Sequence, residues 1–414
     1  MMPRRVPPLV WTILGSSAVT TLGVLPVFLL SSQSVFVRED LGFGETRFGI
    51  AVSVFFASAA VTALLGGKLA DRLGRRTCTL MSGLLGAAGC FGVALAPTWP
   101  ALLVALIVTG VANAACQVTS NLTMARAVPV HRQGLGFGVK QAAIPLSIVL
   151  SGLAVPLTSD TIGWAGTFVI TGTGGVCVAL AALRIPVSGP RTTLRAQPDD
   201  QPPRGALLLT MGSIALGSAA ANSFGAFIAS WGFEVGLTPS QAGVLMAVGS
   251  GLNILARLLS GHLADRRFGR NLPLVATQMV IGGLCLAAMT RATPAALVPA
   301  TLVAFAVGWS WPGLLLFAVV RISRDAPAAA SGIVQAGAFV GGAAGPAIFG
   351  VVAGAAGYRV AWSTAAIAFL LGSAMIMVAR RAFVADLIRR PPHRQIGYGG
   401  GRHHPRHLTD PQDS

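Results

Sequence analysis

The sequence predicts an all-α membrane protein, with twelve transmembrane helices in two pseudo-symmetric bundles of six. Three observations carry this. Only 10% of the 414 residues are charged and 53% are apolar, with a mean hydropathy of +0.71. A soluble domain holds about 25% charged residues, which it needs to cover a water-facing surface. The apolar residues fall into twelve runs, each near the roughly 20 residues that a helix needs to cross about 30 Å of hydrocarbon. Finally, features of the first six runs recur in the last six. A soluble enzyme, a disordered chain and a secreted disulfide scaffold are excluded by the same composition.

The runs cover about residues 11–32, 46–69, 78–96, 99–123, 134–157, 163–184, 206–230, 239–264, 272–290, 296–320, 330–353 and 360–379. Each reads as a helix. The alternation of barrel strands is missing, and lipid offers no partner to an unpaired backbone group. The first run follows Arg4 and Arg5 and imitates a signal peptide. It is longer than a signal core and no small-residue cleavage site follows, so it is read as the first helix. Pro26, Pro145, Pro156, Pro312 and Pro346 sit inside or near the ends of runs, where a bundle tolerates them as kinks.

The polar, Pro-rich stretch Ile185–Pro203 separates the two sets of six. Residues 1–185 are expected to form the N-terminal bundle, 186–205 a central cytoplasmic loop, 206–382 the C-terminal bundle, and 383–414 a disordered basic tail. The tail holds His393, His403, His404 and His407 among arginines. It reads as a segment lying near anionic lipid rather than as a metal site. The five cysteines, Cys78, Cys90, Cys116, Cys177 and Cys285, lie inside apolar runs, which argues for packing rather than disulfides.

A net charge of +17 would suggest nucleic acid if it formed one patch. Instead the arginines come in small groups between runs. With the N-terminus inside, the cytoplasmic side receives every Lys and Arg except six: Arg38, Arg47, Arg291 and Arg359 on the other side, and Lys140 and Arg257 within spans. Such a bias places both termini in the cytoplasm of a bacterial-type inner membrane.

The strongest signal is a duplication. At an offset of 194, Gly42, Gly49, Gly67 and Asp71 match Gly236, Gly243, Gly261 and Asp265, and Arg72 matches Arg266. One inserted residue then aligns Gly74 and Arg75 with Gly269 and Arg270, and Arg126 with Arg321. The first offset returns for Gly138/Gly332, Gln141/Gln335 and Gly163/Gly357. Composition bias does not place an Asp-Arg-x-Gly-Arg cluster twice at the same helix boundary. Two parallel six-helix repeats around a central site are an architecture of secondary transporters.

These residues also carry a family resemblance. Gly67-Lys68-Leu69-Ala70-Asp71-Arg72-Leu73-Gly74-Arg75-Arg76 resembles the signature between helices 2 and 3 of the major facilitator superfamily, and Gly261 to Arg270 resembles its second copy between helices 8 and 9. The resemblance covers roughly residues 8–382. It implies the major facilitator fold and transport by alternating access, with a small-molecule substrate, a proton as candidate coupling ion, lipid as surroundings and a monomer as the working unit. It implies no cofactor. Lys140-Gln141-x-x-x-Pro145, with Gln335-x-Gly337, resembles bacterial members near the cyanate-transporter-like group. In the family the motif bridges neighbouring helices when the inner side is closed. That role falls here on Gly67, Asp71, Arg72, Gly74 and Arg75, and on Gly261, Asp265 and Arg266. Arg126 and Arg321 stand as ion-pair partners for Asp71 and Asp265.

Thirteen acidic residues exist and none lies deep in a run. A buried Asp or Glu, the usual proton carrier, is therefore not expected. The intramembrane cations are the informative residues. Lys140 lies about 9 Å into the fifth helix at 1.5 Å per residue, and Arg257 lies at similar depth in the eighth. Each either snorkels to the headgroups or faces a central cavity and meets an anionic group. Other polar groups within runs are Thr20, Thr21, Asn113, Gln117, Ser120, Asn121, Asn222, Ser223, Asn253, Trp309 and Trp311. In the family, helices 1, 4, 7 and 10 line the cavity, which singles out Asn113, Gln117, Asn222 and Trp309. With Lys140, Gln141, Gln335 and Arg257 they are the expected substrate-binding set.

No His-Glu-x-x-His, Walker or Gly-x-Ser-x-Gly motif occurs, so an enzyme is not expected. Gly134-Leu-Gly136-Phe-Gly138 lacks the strand and helix that a phosphate loop needs. The sequence points to a transporter of a small polar or anionic solute. The alternative is efflux of an amphipathic drug-like compound. Against it, the fifth helix has Pro145 and Gly152 where antiporters of the family carry a Gly-Pro motif.

Overall fold

The computed structural model describes residues 9–127, 139–158, 161–185, 203–266, 271–322 and 327–389. Among them every regular element is a helix: α1 (Leu9–Ser32), α2 (Ser34–Leu41), α3 (Glu45–Ala94), α4 (Trp99–Ala127), α5 (Ala143–Thr158), α6 (Gly163–Ala182), α7 (Arg204–Glu234), α8 (Pro239–Arg266), α9 (Asn271–Met289), α10 (Pro294–Val303), α11 (Trp311–Ile322), α12 (Pro327–Ala356) and α13 (Tyr358–Arg389). Twelve stretches are long and apolar enough to cross a membrane. Helix α3 supplies the second and third spans, while α10, α11 and the π-turn Ala304–Gly308 between them make the tenth. The short α2, in the connection after the first span, was not anticipated.

Glycines shape the turns. Helix α3 breaks at Gly74, in the first motif copy, with φ 74° and ψ 166°, a conformation that side chains with a Cβ rarely adopt. The repeat matches Gly42/Gly236 and Gly163/Gly357 have φ values of 63°/103° and 67°/83°. The duplication in sequence is thus a duplication of backbone turns. The end of the bundle bearing Gly74 is called the motif end below.

Within the first half, α3 packs on α4 and α6, and α1 on α4 and α5; within the second, α7 packs on α12 and α13, and α9 on α13. Two long seams join the halves. The second span runs against the eleventh (α3 on α12), and the fifth against the eighth (α5 on α8). A Cβ on Gly49 would lie 2.3 Å from the Pro346 carbonyl oxygen, and one on Gly243 would lie 2.5 Å from that of Gly152. Residues 49 and 243, and 152 and 346, are equivalent in the repeat, so one backbone contact is made twice. Close approach of this kind needs small residues.

Both contacts lie toward the end remote from the motif, and polar contacts close that end further. The hydroxyls of Ser34 and Ser230 meet at 2.7 Å. Thr46 donates to the Gly350 carbonyl at 3.3 Å, and the Ala347 amide donates to Ser53 Oγ at 2.8 Å. Arg38 pairs with Glu45, which accepts from the Tyr358 hydroxyl at 3.4 Å. The Tyr358 ring stacks on Trp231.

Helix α13 continues through residues 383–389 to Arg389, a stretch the sequence reading assigned to the tail. Arg380 and Arg381 suggested an end, yet the fully buried Phe383 docks the following turn on the bundle. Residues 390–414, most of the central loop (186–202) and the start expected for the fifth run (134–138) lie outside the described residues.

Candidate functional site

Gln117 and Asn121 sit one turn apart on α4 and therefore share a face. Lys140 faces them from the motif end of the fifth span. Its Nζ donates to Gln117 Oε1 at 2.8 Å and to Asn121 Oδ1 at 2.6 Å. Only 4% of Lys140 is exposed, so the side chain does not snorkel. Gln117 is half-buried and Asn121 exposed.

Arg257, 8% exposed, reaches from α8 across the seam. Its Nη1 donates to the Gln141 carbonyl at 2.9 Å, and its Nη2 donates to the Trp309 carbonyl at 2.9 Å. Nε has no partner. One turn earlier, Asn253 Nδ2 donates to the Phe305 carbonyl at 2.5 Å. The Trp309 and Phe305 carbonyls are available because the tenth span changes pitch. The π-turn Ala304–Gly308 is followed by a break at Trp309 and Ser310 before α11 resumes, and such a break leaves carbonyls without helical partners. Gln278 supports the break by donating to Ser310 Oγ at 2.9 Å, and Ser310 donates to the Val307 carbonyl at 2.9 Å. A Cβ on Gly308 would lie 2.7 Å from Gly282 Cα, so only small residues fit there.

Lys140 and Arg257 are thus attached to adjacent residues of the fifth span, one by its own backbone and the other through the Gln141 carbonyl. Among the described residues the ion pair is Arg38–Glu45, at the far end; neither buried cation meets a carboxylate. An ionised group in hydrocarbon or protein interior costs several kcal/mol unless it is compensated. An anion arriving here would therefore gain strongly.

Trp309 was expected to touch substrate. Its ring stacks on Phe305, with centroids 5.8 Å apart, and meets Phe224 and Phe28 edge-on at 6.1 Å each. Phe28 belongs to the first half, so this cluster also bridges the halves. Asn113 is buried with its Oδ1 unpartnered. Asn222 donates to the Ser218 carbonyl within its own helix at 2.8 Å, and Gln335 is half-buried on α12. None of these three shares the hydrogen bonds around Lys140.

Of the motif residues, Gly74 makes the break described above and Gly261 has open space beside it. Arg75 is half-buried, and its carbonyl accepts from the Thr79 hydroxyl at 2.8 Å. Gly67, Asp71, Arg72, Arg126, Asp265, Arg266 and Arg321 stand on helices whose path is described, but their side chains lie outside the described residues. Asn121 and Asn253 were named as polar groups and not placed in the site. Their signal was the one-turn spacing, Asn121 after Gln117 and Asn253 before Arg257.

The Major Facilitator Superfamily model matches residues 12–319 and 209–408. The chloramphenicol resistance protein of Streptomyces lividans is 27% identical over 335 residues, covering 78% of this chain and 83% of that protein. An MFS-type efflux pump of Mycolicibacterium smegmatis is 28% identical over 64% of this chain and 63% of its own. The putative metabolite transport protein YwtG of Bacillus subtilis is 26% identical over 39% of this chain, and the match spans 35% of that protein's length. Among solved structures, a bacterial homolog of the human lysosomal transporter Spinster, inward-facing and unoccupied, superimposes with a TM-score of 0.72 at 15% identity, covering 92% of this chain and 99% of that one.

Proposed function

Since the chain belongs to the major facilitator superfamily, and is thus a multi-pass transporter of the solute or drug efflux kind rather than an enzyme, we propose that it moves a small anionic solute across a bacterial-type inner membrane by alternating access. The observation that carries this reading is the pair of buried cations, Lys140 and Arg257, without a carboxylate partner among the described residues. Both termini are cytoplasmic in this reading, because the arginine groups gather on that side. The remote end of the bundle is closed by the Gly49–Pro346 and Gly152–Gly243 contacts, and Asn121, on the half of α4 nearer the motif end, is exposed. Solute therefore reaches Lys140 from the cytoplasmic side in this state. In the opposite state Asp71 and Asp265, with Arg126 and Arg321, close the motif end. A proton couples through the solute itself, since no carboxylate stands deep in a span.

The test is flux in proteoliposomes. Lys140→Ala raises the apparent KM for the transported anion about ten- to hundredfold, the weight of one charge-assisted contact, and Lys140→Arg retains part of the function. An unchanged KM in Lys140→Ala removes the site. A second reading, efflux of an amphipathic compound, draws on the names of two relatives that match more than half of the chain and on the Phe28–Phe224–Phe305–Trp309 cluster. Inside-out vesicles that accumulate chloramphenicol and ignore organic anions would favour it.

A further inference from the structure

We propose that the solute is a dianion, with one charge held by the Lys140 ammonium and its flanking amides and the other by the Arg257 guanidinium across the seam. This rests on the anion reading above and narrows it. The first support is charge balance. Two cations are more than nine-tenths buried, and neither meets a carboxylate among the described residues. One negative charge compensates one of them and leaves the other exposed to the full desolvation cost.

The second support is the orientation of the donors. Two of the three ammonium hydrogens are given to Gln117 Oε1 and Asn121 Oδ1. Each amide oxygen accepts from the ammonium, and each amide keeps an NH2 group that can donate. With the third ammonium hydrogen, the cluster holds more N–H donors than free acceptor lone pairs. Such a cluster suits an oxyanion and rejects a cation.

The third support is Arg257. Its planar fork matches a carboxylate, phosphate or sulfate group. Two of its nitrogens each give a hydrogen to a carbonyl, and the buried Nε gives none. The guanidinium therefore has donors to spare in a place closed to bulk water.

The fourth support is position. Lys140 stands on the first half and Arg257 on the second, and both are anchored at residues 140 and 141 of one turn. A ligand that bridges them touches both halves; a monoanion satisfies one. At the positions equivalent by the 194-residue offset stand Val334 and Ala63, so the repeat does not provide a second such pair.

The experiment is calorimetric titration of the purified full-length protein with matched pairs: succinate, glutarate and adipate, each against its monoamide, and sulfate against methyl sulfate. At least one dianion should bind about ten- to hundredfold tighter than its monoanionic partner. Lys140→Gln should bring that ratio close to one, while Lys140→Arg keeps most of it. Arg257 also holds two backbone carbonyls, so Arg257→Lys, which keeps the charge, is the variant of choice there. It should reduce the ratio and leave the fold, read by melting temperature, in place. Equal binding of dianion and monoanion, both lost in Lys140→Gln, overturns the dianion and leaves the anion reading intact. Binding of neither member in every pair overturns the dianion. Monoanion binding that Lys140→Gln does not touch overturns both.

Discussion

Where the second span meets the eleventh, Gly49 lies against Pro346, Ser53 holds the Ala347 amide, and Phe56 stands beside Gly342. Where the fifth meets the eighth, Gly152 lies against Gly243 in the same way, but about 16–21 Å further along the two helices, at 1.5 Å per residue, come Gln141, Lys140 and Arg257. Under the proposed function, the backbone contact is shared by the two seams because both close and open together when the halves rock. The buried cations are confined to one seam because, on that proposal, one solute needs one site. In the other seam the equivalents of Lys140 and Arg257 are Val334 and Ala63, with Val334 fully buried. The symmetry of the repeat thus supplies the shared packing of the two seams, and the buried cations depart from it.

The shared part of the comparison predicts the largest effects. Gly49→Val and Gly152→Val each place a side chain where a Cβ already lies 2.3 Å from a carbonyl oxygen. Overpacking costs about 1–3 kcal/mol and acts only when the remote end is closed. Both variants should shift access toward the remote side and lower transport about ten- to hundredfold, and by similar amounts. Thiol labelling from that side and flux in proteoliposomes read this out. A strong effect at one glycine and none at the other would break the equivalence of the seams.

The unshared part predicts an asymmetry. Lys140→Ala should change apparent KM, whereas Val334→Ala should leave KM alone and lower stability by about 1–2 kcal/mol through lost packing. A matching KM change in Val334→Ala would show that the first effect is structural. Smaller effects are expected from the amides that aim the ammonium. Gln117→Leu and Asn121→Leu each remove one hydrogen bond, and KM should rise about two- to tenfold. The smallest belongs to the remote end. Glu45→Gln weakens contacts to Arg38 and Tyr358 near the surface, where an ion pair contributes about 0.2–1 kcal/mol. Labelling should report a shift in access of a few-fold or less.

The fold was legible in the sequence because the bilayer leaves few options: a run of apolar residues must be a helix and must be long enough. The turns were legible for a related reason, since Gly42, Gly236, Gly163 and Gly357 recur where the backbone has positive φ. Lys140 and Gln117 were legible as polar groups in the wrong solvent. The partner of Arg257 was not. That side chain bonds two backbone carbonyls, one of them released by the π-turn before Trp309. A change of helical pitch leaves no periodic trace in residues that are apolar all round. The surroundings of Trp309 were hidden for the same reason: at the break its ring stacks on Phe305 and its carbonyl accepts from Arg257.

On the proposed function, the uncompensated charge on one seam selects an anion. Thermal unfolding of the purified protein against a panel ordered by charge, from organic and inorganic anions through neutral sugars to organic cations, tests it most directly, with Lys140→Ala run alongside. Stabilisation should be confined to anions, and the anion giving the largest shift should lose most of it in the variant. Stabilisation by cations or neutral solutes, undiminished in Lys140→Ala, would contradict it.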